Sequence, residues 1–104
     1  SVDFGEVLDN TGAIEDINSR VLRMLNRELF KIDPSFIYKA IYYTARYELS
    51  IEPITKDLLK EAVKLKFLNC LTAQQKKFEL SRIRRGKNKT LALELLKEYK
   101  IVEE

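Results

Sequence analysis

Histidine and tryptophan are missing from this sequence, and cysteine occurs once. Without histidine the chain lacks the commonest general base and the commonest zinc ligand. A lone Cys70 builds neither a thiolate metal site nor an internal disulfide. Beside Leu68 and Leu71 it reads as a small buried hydrophobe, and a disulfide-free chain fits a reducing, cytoplasmic setting. Glycine and proline number only three and two in 104 residues, so turns are few. No apolar run reaches the length of a membrane span, and no secretory signal is visible. The carboxylates are spread along helix faces close to lysines and arginines, with nothing resembling a paired acid and base. Gly86-Lys87 followed by Thr90 is not a phosphate loop. Ser81 stands where that loop needs a glycine, and Asn88 where it needs serine or threonine. Together these absences point away from an enzyme and from any metal or cofactor.

What the chain does have is helix-forming material. It is 45% hydrophobic and 34% charged, which suits a globular fold, and its length suits a single domain over 1–104. The expectation is an all-α protein, a compact bundle of four to five helices without a sheet. Its centre is the apolar segment of about 34–49. Asp33-Pro34 starts that helix, with aspartate able to cap free N–H groups and proline suited to the first position. On a helical wheel Ser35, Lys39, Arg46 and Ser50 form a narrow polar stripe flanked by Tyr42 and Tyr43. Phe36, Ile37, Ala40, Ile41, Ala45 and Leu49 make the rest apolar, so neighbours should cover most of its surface.

Around it, residues 1–10 are a packed or frayed arm. Ile14, Ile17, Val21, Leu25, Leu29 and Ile32 give a first helix over about Ala13 to Ile32. Pro53 ends a short connection and Thr55 caps a third helix, about Lys56 to Asn69. Thr72-Ala73-Gln74-Gln75 has the capping-box pattern, opening a fourth helix along Ala73, Leu80 and Ile83. Gly86 stops it by accepting a left-handed conformation. A fifth helix, about Leu91 to Tyr99, turns Leu91, Ala92, Leu95, Leu96 and Tyr99 inward, and Ile101 and Val102 extend the packing.

Charge is the strongest chemical signal. Residues 76–89 hold seven cations against Glu79, a surplus of six in a chain whose net charge is +3. Such a concentration suits phosphate backbones or an acidic protein surface. The candidate nucleic-acid contacts, to DNA or RNA, are Lys77, Arg82, Arg84, Arg85, Lys87 and Lys89. Arg20, Arg23, Arg27 and Lys31, along one side of the first helix, form a secondary ridge, although Lys31 also suits that helix's C-terminal dipole. Tyr38, Tyr42, Tyr43 and Tyr47 cluster on the central helix. They are either core-edge residues with hydroxyls turned to water, a stacking platform for bases, or an interface in a homo-oligomer. The first expectation is therefore a non-enzymatic, nucleic-acid-associated helical module. The alternative is a protein-interaction or oligomerisation domain using the Tyr-rich helix. Ile37 to Arg46, then Ile54-Thr55 and Leu58 to Ala62, faintly resemble the small helical lid of AAA+ ATPases. That likeness implies a lid-like piece of a larger ATPase, covers under a third of the chain, rests on common residues, and comes without a Walker motif.

Overall fold

The computed structural model describes residues 20–24 and 26–101. In chain order these form β1 (Val21–Leu22), α1 (Leu29–Ile32), α2 (Phe36–Arg46), β2 (Ser50–Ile51) and α3 (Pro53–Lys64). A 3-10 turn (Phe67–Cys70), α4 (Ala73–Arg85) and α5 (Lys89–Glu98) follow. The all-α expectation holds, with five α-helices among the described residues, but the expected absence of a sheet does not, because β1 and β2 form a two-stranded one.

The apolar composition of α2 makes it the centre. Phe36, Ile37, Tyr38, Ala40, Ile41, Thr44 and Ala45 are all buried, and the helix packs against α1, α3, α4 and α5. Burying a side chain such as Phe36 or Ile41 contributes about 1.5–3 kcal/mol. Lys39 lies on the polar stripe as expected, half-buried, with its ammonium 3.7 Å from Asp33. Asp33 does not cap backbone N–H groups with its side chain; its carboxylate accepts the Ser35 hydroxyl instead.

The expected helix over Ala13 to Ile32 does not form through its second half. Residues 13–19, Leu25, the arm 1–10 and Val102 lie outside the described residues. From Arg20, which has φ 56°, the chain enters β1, which pairs parallel with β2 in the register Val21↔Ser50 and Leu22↔Ile51. Leu22 and Met24 are buried with Arg23 exposed between them, a period of two rather than 3.6. Ile32, placed inward by the helical reading, is 68% exposed.

Further expectations are corrected. The third helix starts earlier and ends earlier, at Pro53–Lys64, because Glu52 rather than Thr55 is its cap and Pro53 takes the first turn. Cys70 is exposed, at the end of the 3-10 turn. Gly86 does stop α4, but in an extended conformation, φ −85° and ψ 170°. Its small size serves packing: a Cβ there would come 2.8 Å from the Tyr42 ring. The left-handed residue is Asn88, φ 60°. Glycine is so scarce that the ends of α2, α3 and α5 also use larger left-handed residues, Glu48, Lys66 and Lys100. The capping box at Thr72 and Gln75 forms as expected, with both reciprocal bonds made. The last helix begins two residues before the expected start; Ala92, Leu96 and Tyr99 are buried, whereas Leu91 is 38% exposed.

Candidate nucleic-acid interface

The basic segment occupies the second half of α4, the turn after it and the start of α5. Ile83 and Glu79 define the buried side of α4. At 100° per residue, Lys77, Arg84 and Arg85 then fall on the opposite side, and all three are exposed. Lys87 and Lys89 are exposed on either side of Asn88. The turn that carries them is fixed to the core, because the Asn88 side-chain amide donates to the Ala45 carbonyl at 2.9 Å. Five of the six primary candidates are thus exposed on one continuous stretch of chain.

Arg82 is placed differently. Its guanidinium donates to Glu79 at 2.7 Å and lies over the Tyr42 ring, 5.1 Å from the centroid. Glu79, the one acid of the segment, is buried and spent on this pair. The pair cancels internally, so the surplus of positive charge rests with Lys76, Lys77, Arg84, Arg85, Lys87 and Lys89.

The tyrosines divide as well. Tyr38 is buried in the core. Tyr42 and Tyr43 meet edge to face at 5.3 Å, and Tyr43 and Tyr47 stack at 6.2 Å. Arg46 covers the Tyr47 ring at 5.4 Å and donates to the Tyr42 hydroxyl at 3.4 Å. Burial pushes the Tyr43 phenol above its ordinary pKa. These rings are half-buried and packed on one another and on two arginines, as core-edge tyrosines are. Arg46, on the polar stripe beside these tyrosines, is exposed and joins the basic segment through Tyr42, whose ring Arg82 covers.

The secondary ridge is not made by one helix. Arg20 precedes β1, Arg23 follows it, Arg27 lies before α1, and only Lys31 is helical; all four are exposed. Among the described residues no group of histidine, cysteine and carboxylate side chains could hold a metal ion, and no helix is long and apolar enough to cross a membrane.

A small helical module with an outward basic segment is the class these features define. No protein-family model matches the chain. It is similar to the A-adding tRNA nucleotidyltransferase of Geobacter sulfurreducens, 32% identical over 90 residues, covering 86% of this chain and 10% of that one. Its likeness to the A-adding tRNA nucleotidyltransferase of Aquifex aeolicus is 29% over 102 residues, covering 98% and 12%. Among solved structures it matches the Thermotoga maritima CCA-adding enzyme complexed with tRNA, with a TM-score of 0.78 and 30% identity over 83% of this chain and 21% of that one. The chain therefore spans about a tenth of the length of these curated relatives.

These likenesses correct the expectation of a non-enzymatic protein, because the similar proteins are enzymes. An absence of histidine in these 104 residues does not exclude an enzyme. Nucleic-acid association agrees with these relatives, and it is RNA rather than DNA that their names carry. The structures matched are tRNA-processing enzymes rather than ATPase lids.

Proposed function

We propose that this chain is a tRNA-holding helical part of a tRNA nucleotidyltransferase, an enzyme that adds nucleotides to tRNA. In this reading Lys77, Arg84, Arg85, Lys87 and Lys89 contact the tRNA phosphates. Arg82, engaged with Glu79 and Tyr42, holds the segment in place. The observation that carries the reading is the match in fold and sequence, over 83% of this chain, to an enzyme solved with tRNA bound. The exposed, unneutralised cations on α4 and the following turn supply the chemistry, since neutralising phosphates releases counterions and drives binding. Contacts of this kind position the RNA without reading its sequence.

The test is binding of a tRNA transcript followed by fluorescence anisotropy across a salt series. Five phosphate contacts give a slope of log affinity against log salt of about −3.5 to −4.5, at about 0.7–0.9 per contact. Replacing Arg84, Arg85 and Lys87 together by alanine should flatten the slope by about two units or more and weaken binding. The melting temperature should barely move, because all three side chains are exposed. Arg23→Ala with Arg27→Ala is the control for the competing surface. Unchanged affinity in the first variant, with loss in the second, would move the site to the segment before α1.

A further inference from the structure

A second basic feature lies at the far end of α5. The C-terminal ends of α3 and α5 border an open cleft of about 480 Å³, lined by Lys60, Val63, Lys64, Lys66, Glu98, Tyr99 and Lys100. None of its four lysines makes a side-chain hydrogen bond or ion pair with another described residue. Two helix ends meet here, and a helix C-terminus alone is a sufficient reason for a nearby lysine, since it carries about half a negative charge. That reason does not cover the count. Four lysines and one carboxylate, Glu98, line the cleft, and the two helix ends together offset only about one of the remaining three charges. The left-handed residues that end α3 and α5, Lys66 and Lys100, are themselves two of the four. The apolar floor is made by Val63 and the ring of Tyr99, which is buried. Burial, and then the charge of Glu98, raise the Tyr99 phenol above its ordinary pKa, so it stays a hydrogen-bond donor at neutral pH.

We propose that the cleft between the ends of α3 and α5, with Lys60, Lys64, Lys66 and Lys100 around it, is a second phosphate-binding site that takes the RNA backbone. The proposal rests on the tRNA-holding reading for the identity of the polyanion. The cleft is open rather than enclosed, which suits a backbone passing through more than a small anion held on all sides. Ten-residue α5 separates it from Lys89 by about 15 Å. The two basic sites are therefore carried on one rigid element, and engagement of one raises the effective concentration of phosphate at the other.

The experiment replaces Lys60, Lys64, Lys66 and Lys100 with glutamine in the full chain, which keeps most of each stem and removes the charge. A parallel variant replaces all four with arginine. Both are compared with the wild type and with the Arg84, Arg85 and Lys87 alanine variant in tRNA anisotropy across salt. Amide NMR titrations use the tRNA transcript and, separately, inorganic tripolyphosphate. The glutamine variant should bind at least tenfold more weakly and lose about three units of salt slope, while the arginine variant keeps both. The amides of Lys66 and Lys100 should shift on adding tRNA to the wild type. If the glutamine variant binds tRNA as the wild type does, while the alanine variant fails, the second site is wrong and the tRNA-holding reading stands. If the wild type binds no tRNA, but tripolyphosphate shifts Lys66 and Lys100 in a lysine-dependent way, the cleft is an anion site and the tRNA reading falls. Binding of neither probe overturns both. Circular dichroism melting of each variant identifies any loss that comes from unfolding.

Discussion

Arg82 stacks on Tyr42 and donates to a buried Glu79, whereas Arg84, one position past Ile83, faces water. The same residue type therefore answers differently to the same substitution. Arg82→Ala leaves the Glu79 carboxylate without its partner and uncovers the Tyr42 ring. With Arg82 itself partly exposed, the expected loss is about 1–3 kcal/mol. Arg84→Ala should stay within about 0.5 kcal/mol of the wild type, as surface changes usually do. Thermal melts of the two single variants check this, and equal melting temperatures would mean that the Glu79 pair contributes nothing. A comparable contrast holds on α2, where Ile41 is fully buried and Lys39 is half-exposed. Ile41→Asp places an unpaired carboxylate in the core, at a cost of several kcal/mol, and should melt far below Lys39→Asp. Both orientations on α2 were readable from its wheel. The partition of the arginines was not, because Tyr42 lies 40 residues from Arg82 in sequence and nothing local to α4 announces it.

Among the elements, α3 shows how a boundary is decided by two competing signals. Threonine is a common cap and proline commonly ends a segment, so Thr55 read as the start and Pro53 as the stop before it. Proline is equally at home in the first turn, and the Glu52 carboxylate accepts both the backbone N–H and the hydroxyl of Thr55 at 2.9 Å. That leaves the buried Thr55 oxygen free to accept the Met24 amide at 2.7 Å, which ties the segment after β1 to the helix. The backbone bond from Thr55 is the main reason the Glu52 pKa is lowered. A lowered folded pKa means stabilisation that is complete above the ordinary glutamate value of about 4.3 and is lost as pH falls through the folded value. The melting-temperature advantage of the wild type over Glu52→Ala should therefore be constant near neutral pH and shrink in acid below about pH 4. A difference independent of pH would remove the carboxylate from the account. The Thr72 capping box, by contrast, was legible because all its partners lie within four residues.

For the molecule as a whole, what the sequence made readable was local: helical composition, the apolar centre on α2 and the run of cations over 76–89. The lysine cleft escaped because Lys60, Lys64 and Lys66 come to line one cleft with Lys100 only once the chain has folded. The β1–β2 pair escaped for a similar reason. Two residues on each side carry no periodic pattern worth the name, and their pairing spans 29 positions, from Val21 to Ser50. That pairing bears on the order in which the chain folds. Contacts within and between neighbouring helices close short loops, while joining β1 to β2 must enclose α1 and α2 first and carries the larger entropy of closure. The amides that report it are those of Ser50, bonded to the Arg20 carbonyl at 2.7 Å, and Glu52, bonded to that of Leu22 at 3.0 Å. In pulse-labelled refolding these two amides should gain protection after those in the middle of α2. In native exchange they should open at lower free energy, so that the residues before α1 come away as a unit while the helices stay assembled.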